Sequence, residues 1–558
     1  MAAPEAQRFV ITGLSRLAVR VASHLAARRA SVTIVTDHVS DAHLVDVASR
    51  IAGVEVVAGG VDRSAALALG GLMGADGLLA LGDDDLDNLR TVACAAAMAP
   101  EVPVVLRSFD AAVADQLELS ANVRRAFSVS GLAAPAFVAA VLGDEAVQTL
   151  RLGREEVSLL RTNVQPSGPL AGRTPDDVRA DLGVTVLARA DEAETAWIAN
   201  TDGSAVLEQG EELLLGGRLV DVFGLALAND PLPTPPPPCV RSRALLLDGA
   251  DDEAPGRSVT STLLPATALG LGALLVGGSI AFGIARDLTP LEALYFTVTT
   301  AWGDPAVQGS DPWQQVFGLC LMVSVGALVG VLFSYLAALA TEERMASRMG
   351  RRAARMQGHV VVAGLGTVGY RIVRLLRQIG VEAVAVDRDP ASRFVGAAAA
   401  YGPVLTGDVR LPEDLARAGI ERAACLVATT DDDLVNITAC LQARALNPGV
   451  RTVARIFDEA IAESAGSALG IDSVVSASRE AAAAFVGAAI DDRASREVEL
   501  GALHLVALRH TFDHDRPPSE TQRSAWRAEG VHVLHADGDV AIVAGPAAAP
   551  SLLGFINA

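Results

Sequence analysis

The sequence predicts two doubly wound parallel α/β domains with a two-helix α-helical membrane module between them. Three observations carry that expectation. Residues 259–285 and 313–340 are apolar and contain no charged residue, and at about 1.5 Å of rise per residue each can cross a hydrocarbon layer of about 30 Å. The regions before and after them repeat one another in order and spacing. Within each repeat, short β-rich apolar runs alternate with Ala/Leu-rich helical stretches, the pattern of a parallel sheet with helices on both faces.

The repeats read FVITGLSRLAVRVASHL, SVTIVTDH, GLLALGDDDLDNL and VPVVLRSFDAAVA in the first copy. The second has VVVAGLGTVGYRIVRLL, EAVAVDRD, CLVATTDDDLVNI and VRTVARIFDEAIA. Gly13 pairs with Gly364, Asp37 with Asp387, Asp83–Asp85 with Asp431–Asp433, Asn88 with Asn436, and Arg107 and Asp110 with Arg455 and Asp458. In the second copy a strand at 359–363 leads into Gly364-Leu365-Gly366-Thr367-Val368-Gly369 and a helix, with Asp387 ending the next strand 21 residues after Gly366. That is the full context of a dinucleotide fingerprint in a Rossmann-like fold. The glycines admit a phosphate to helix N-terminal amides, and the carboxylate accepts from ribose hydroxyls. The first copy keeps Gly13 but places Ser15 and Arg16 where a pyrophosphate would approach most closely. Gly13, Ser15 and Asp37 therefore mark a second, weak site or a fold that persists without a ligand.

Between the apolar stretches lies the segment 287–304, DLTPLEALYFTVTTAWGD. Thr289, Pro290 and Glu292 predict a helix start, with a cap, a proline at the first helical position and an acidic residue three after the cap. The helix should run through Leu291, Leu294, Tyr295 and Val298 and aim its partly negative C-terminus at Thr299 and Thr300, after which the backbone should turn extended. Gly326 and Gly330 have the small-xxx-small spacing of close helix packing. Arg241, Arg243 and Arg257 precede the first stretch and Arg344, Arg348, Arg351, Arg352 and Arg355 follow the second, against Arg286 alone between them. This bias predicts both termini on the cytoplasmic side of a cell membrane.

The segment resembles the pore loop of potassium channels, in which Thr-Val-Gly-Tyr-Gly-Asp lends carbonyl oxygens to the ion. The resemblance implies a selectivity filter at Thr299, Thr300, Ala301, Trp302, Gly303 and Asp304, with Trp302 for the tyrosine and Ala301 for the first glycine. The flanking repeats resemble the N-terminal lobe of regulator-of-potassium-conductance (RCK, or TrkA-N) domains. The whole is similar to a two-transmembrane potassium-channel-like protein with one RCK domain before and one after the pore. The family resemblance implies NAD(H) or ATP/ADP as regulatory ligand, K+ as permeant ion and a homotetramer in the lipid bilayer. It places nucleotide contacts at Gly364, Gly366, Thr367, Gly369, Asp387, Arg388, Asp408, Thr429 and Arg455. The expected organisation is 1–145 and 357–490 for the two large lobes and 146–230 for the small lobe after the first. A Pro-rich linker follows at 231–257, the membrane module at 258–341, an Arg-rich linker at 342–356 and a C-terminal lobe of open identity at 491–558.

Composition narrows the function. The chain has 558 residues, 51% of them hydrophobic, and a mean hydropathy of +0.36, high for a wholly soluble protein. A net charge of -21 argues against nucleic acid as a partner. The five cysteines have no paired spacing. The acidic runs follow strands where a cation could bind, but read first as helix N-terminal charge. His504, His510 and His514 fit no compact metal pattern, so no metal site is expected. A dehydrogenase would share the fingerprint yet needs a proton-transfer constellation that the chain does not display, so no enzyme is expected. The competing reading is a membrane-anchored nucleotide sensor, or regulatory subunit of potassium transport, with a non-conducting pore.

Overall fold

The computed structural model describes residues 6–36, 42–59, 62–108, 116–118, 122–143, 145–152, 155–190, 197–200, 202–232, 263–303, 311–353, 355–490, 496–500, 503–512, 518–537 and 540–557. The chain divides into two compact units, Val240–Arg351 and the remainder. In the larger unit the first copy runs β1 (Arg8–Thr12), α1 (Arg16–Ala27), β2 (Ser31–Thr36), α2 (Ala42–Ser49), β3 (Val54–Ala58), α3 (Arg63–Leu69), β4 (Gly77–Ala80), α4 (Asp85–Met98), β5 (Val104–Arg107), β6 (Val123–Phe127) and α5 (Val129–Leu142). Its sheet is parallel in the order β3-β2-β1-β4-β5-β6. Strands such as β4 are buried at every position, as expected when helices cover both faces. A small lobe follows: β7 (Glu145–Leu152), β8 (Glu155–Asn163), α6 (Pro175–Leu182), β9 (Thr185–Ala190), β10 (Ile198–Ala199), β11 (Glu212–Arg218) and α7 (Leu219–Asn229). Its antiparallel sheet has the order β10-β9-β11-β8-β7.

The smaller unit holds α8 (Leu263–Arg286), α9 (Pro290–Ala301) and most of α10 (Pro312–Ala353). Leu269–Arg286 and Pro312–Phe333 are long and apolar enough to cross a membrane, with mean hydropathies of 1.6 and 2.6. Only 11% and 17% of these windows is buried within the chain, unlike the core helices of a soluble domain. The Glu292 carboxylate accepts from the Thr289 backbone at 3.0 Å and its hydroxyl at 2.7 Å, so the helix begins where the sequence indicated. It does not end there. Thr299, Thr300 and Ala301 remain in α9, Trp302 is its C-cap, and the left-handed turn falls at Gly303, φ +91°. The expected extended backbone after Thr300 is thus absent through Gly303; Asp304 lies outside the described residues. Alanine is the best helix former and disfavours the left-handed region, so the helix continues to the next glycine.

Close packing within this unit also differs from expectation. A Cβ on Gly326 or Gly330 would meet nothing within 4 Å, whereas one on Gly278 would lie 2.6 Å from Thr297 and one on Gly283 3.3 Å from Ala293. The tight seam therefore joins α8 to α9. Phe282 contacts Phe296 and Phe317 edge-on, with ring centres 4.9 and 5.3 Å apart, and Arg286 bonds Gln314 at 3.2 Å while covering the Phe296 ring.

The second copy comprises β12 (Val360–Ala363), α11 (Thr367–Gln378), β13 (Ala383–Asp387), α12 (Val395–Ala398), β14 (Val404–Thr406), α13 (Pro412–Arg417), β15 (Cys425–Ala428), α14 (Asp433–Leu446), β16 (Arg451–Arg455), α15 (Glu459–Leu469), β17 (Ser473–Val475) and α16 (Ala477–Ile490). Its sheet order, β14-β13-β12-β15-β16-β17, is that of the first copy. The terminal lobe has β18 (Arg496–Leu500), β19 (Leu503–Thr511), α17 (Glu520–Ala528), β20 (His532–Asp537), β21 (Val540–Pro546) and α18 (Pro550–Asn557). Its sheet, β18-β19-β21-β20, repeats the order β7-β8-β11-β9 of the first small lobe.

The two copies share their cores. Ala133–Leu142 of α5 join Ile372 and Leu376 of α11 in one cluster, while Ala481, Phe485 and Val486 of α16 join Phe9, Ile11 and Val21 of the first copy in another. Each crossing helix is also capped from the opposite copy. Arg124 donates to Ala488 O and Ala489 O at 3.1 and 2.8 Å, and Arg451 to Val141 O at 3.0 Å, placing guanidinium groups at helix C-termini. The small lobes meet face to face through Leu159, Leu187 and Leu214 against Leu505, Leu534 and Ile542.

Candidate nucleotide site

At the C-terminal edge of the second parallel sheet a cavity of about 740 Å³ opens between the β12–α11 turn and the ends of β13, β14, β15 and β16. It sits where the strand order reverses, between β12 and its neighbours β13 and β15, the usual ligand position in doubly wound sheets. Gly364 has φ +94°, and its N–H donates to Val386 O at 2.8 Å. A Cβ on Gly369 would fall 1.9 Å from Gly364 O, so this glycine seats the helix on the strand. A Cβ on Gly366, which lines the cavity, would meet nothing within 4 Å.

Gly364, Gly366, Thr367, Asp387, Arg388, Asp408, Thr429 and Arg455 all line this cavity; Gly369 stands behind it. Several have structural employment as well. The Asp387 carboxylate accepts from Leu365 N–H at 2.5 Å and Asp389 N–H at 2.8 Å, which fixes it at the strand end. The Thr429 hydroxyl, buried, bonds Ala363 O and Gly364 O at 3.1 and 3.0 Å, bracing the turn. Asp408 forms a fork with Arg410 at 3.0 and 3.1 Å from Nε, and these bonds hold its carboxyl below the usual range. Burial lowers the Arg455 guanidinium to about 10, opposed by Asp431 and Asp433 and reinforced by Arg107 and Arg16. Arg393, Phe394 and Arg410 also line the cavity and escaped the sequence reading, and Asp431 of the second acidic run joins them. Arg410 was legible, two residues after Asp408 in the same turn.

The repeated asparagines and most members of the acidic runs brace the framework. Asn436 bonds Thr430 N–H at 2.9 Å, Thr430 O at 3.1 Å and Arg455 O at 2.9 Å, and Asn88 makes the same ties to Gly82 and Arg107 O. Asp432 and Asp84 cap α14 and α4, Asp433 accepts from Phe457 N–H and Asp458 N–H at 3.0 Å, and Asp83 pairs with Arg107. Among the described residues no group of three or more His, Cys, Asp or Glu side chains could hold a metal. His510 packs on Phe512 and Phe555; His514 lies outside the described residues. In the first copy Gly13 keeps φ +85°, but the Ser15 hydroxyl accepts from Ala18 N–H at 3.2 Å and caps α1 itself. Asp37 lies outside the described residues.

Two Rossmann-like domains, one keeping a complete dinucleotide-type turn, and two membrane-length helices between them in sequence define the class of this protein. The TrkA-N domain family matches residues 9–128 and 360–477, and the chain carries two TrkA-N domains. A putative K(+) efflux antiporter KefB of Alkalimonas amylolytica is 33% identical over 104 residues, 19% of this chain and 16% of that protein. A Trk system potassium uptake protein TrkA homolog of Pyrococcus horikoshii is 32% identical over 105 residues, 18% of this chain and 44% of that one. The match therefore spans less than half of either relative. The crystal structure of the GsuK RCK domain aligns over 99% of this chain and 95% of that chain at 16% identity, with a TM-score of 0.49.

Proposed function

We propose that the chain is the subunit of a nucleotide-gated monovalent cation channel, potassium-related, in which four copies surround an axis lined by α9 and the residues after it. The single observation that carries this reading is the cavity of about 740 Å³ in which the fingerprint turn, Asp387 and Arg455 converge. NAD(H) or ATP/ADP is the regulatory ligand. Pyrophosphate lies against Gly366 and the first amides of α11, ribose against Asp387, and the phosphate charge toward Arg455. K+ is the permeant ion, as the potassium-transport relatives suggest. Both termini are cytoplasmic, and the arginine bias supports that orientation. α10 runs on to Ala353 in one helix, so a shift in the second TrkA-N domain can reach the membrane through it. The ligand moves the pore only by as much as its affinity differs between the two states.

Purified protein in liposomes tests this. Cation flux that changes with ADP or NADH supports the channel, and a bilayer sealed at every nucleotide concentration favours a membrane-anchored sensor. One observation speaks for the sensor: Thr299–Ala301 are helical, and Val298 O and Thr299 O accept from Trp302 N–H at 3.2 Å and Thr300 O from Gly303 N–H at 3.1 Å, so these carbonyls are engaged by the helix end. Conduction through a carbonyl-lined filter requires that turn to unwind.

A further inference from the structure

The turn that frames the cavity of the second copy does different work in the first. Ser15 stands where the second copy has Gly366. Its hydroxyl takes the Ala18 N–H and donates to Leu81 O at 3.3 Å, so an amide that an anion would use is satisfied from within. The next residue reaches out of its own domain. The guanidinium carbon of Arg16 lies 4.4 Å from the centre of the Phe457 ring in the second copy. The same ring carries Arg455, whose guanidinium carbon is 4.2 Å from that centre and which lines the nucleotide cavity.

The ring is held in place. Phe457 N–H donates to both carboxylate oxygens of Asp433 at 3.0 Å, and Asn436 pins the Arg455 carbonyl at 2.9 Å. Phe457 is thus a fixed plate shared by one guanidinium from each copy, the arrangement that cation–π attraction favours. Thr367 stands where Arg16 does, so the second copy carries no cation at that position. Arg455 Nε has no hydrogen-bond partner among the described residues, and a phosphate in the cavity would give it an acceptor beside the charges of Asp431 and Asp433.

We infer that Arg16 is a positioning residue for the nucleotide cavity: through Phe457 it holds Arg455 toward the bound phosphates, and the first copy, its own turn closed by Ser15, sets the affinity of the second. This rests on the nucleotide reading above. Occupancy is felt in return, since a ligand that draws Arg455 changes the stack that Arg16 completes.

The test measures ADP and NADH affinity by calorimetry on the full chain in detergent, comparing the unaltered protein with Arg16→Ala, Arg455→Ala, the double variant and Arg16→Lys. Arg16→Ala should weaken binding about twofold to fivefold, the range of an exposed cation–π contact. Its effect should vanish in the Arg455→Ala background, with one nucleotide bound per chain throughout. Arg16→Lys keeps the charge without the flat stacking face and should recover only part of the loss. Equal effects of Arg16→Ala in both backgrounds, full recovery with lysine, or two nucleotides per chain would overturn the inference and leave the cavity assignment standing. If the unaltered protein bound neither probe, or bound both as Arg455→Ala does, the cavity assignment itself would fall and this inference with it.

Discussion

Ala301→Gly is the most informative single change in the membrane module. Ala301 is the last helical residue of α9, it is buried, and the chain turns left-handed two residues later at Gly303. Glycine at this position lowers helix stability by about 1 kcal/mol. It also removes a penalty of about 1–2 kcal/mol against the left-handed backbone that a filter glycine uses. The two terms act in the same direction and shift the balance from helical toward extended by about 2–3 kcal/mol, or about 30- to 150-fold. In planar bilayers with a K+/Na+ gradient, the variant should show a reversal potential displaced toward that of K+ and a larger K+ flux than the unaltered protein. A conducting variant with an unaltered reversal potential would refute the alignment of residues 299–304 with a filter. A variant that stays sealed would refute the idea that the helical turn is what blocks conduction.

Asp387→Ala should weaken ADP or NADH binding about tenfold or more, since a hydrogen bond to a charged group contributes about 1.5–3 kcal/mol, while circular dichroism shows the domain still folded; unchanged affinity would remove the ribose contact. Gly366→Ala, whose Cβ meets open space, should leave thermal stability within about 0.5 kcal/mol yet abolish nucleotide binding. Gly369→Ala should destabilise the domain by about 3 kcal/mol, because its Cβ collides with Gly364 O; the reverse ranking in a melting experiment would contradict both roles. Asn436→Ala leaves two half-buried carbonyls and one N–H without the side chain that bonds them, and should cost about 1–3 kcal/mol by denaturant titration. His532, buried where the small lobes meet, donates from Nε2 to Asn200 O at 3.1 Å, and burial lowers its pKa to about 4. The unfolded chain takes up this proton near pH 6.5 and the folded chain near 4, so stability is full above 6.5 and falls by about 3 kcal/mol between these values. His532→Gln should flatten that slope in melts across the range, and a slope that persists would assign it to other groups.

The parallel sheets were legible because they rest on local signals, namely apolar runs alternating with helical stretches, and the glycine turn and the acidic residue at a fixed distance marked residues that the fold brings to one cavity. The membrane-length helices were legible from the absence of charge. What escaped depends on contacts between distant segments. Asn436 and Asp433 read as repeat markers or helix-end charge, and only the folded chain shows them tying β16 to β15 and α14. The end of α9 was misjudged because alignment with a filter took precedence over the helix propensity of Ala301. The exchange of α5 and α16 left a trace that was available: VSGLAAPAFVAAVL is apolar on every side, and such a helix must be covered all round.

That exchange sets an order of events during synthesis. When the ribosome has completed residue 353, α5 and the small lobe that covers part of it are already made, but the rest of its cover, on α11 and the second sheet, has yet to be translated. The first half must wait with one side of a greasy rod uncovered, and the apolar segments 269–286 and 312–333 emerge in the interval. A premature stop anywhere before Thr367 therefore leaves an orphan that cannot close its interior, which makes truncated chains a natural target for quality control.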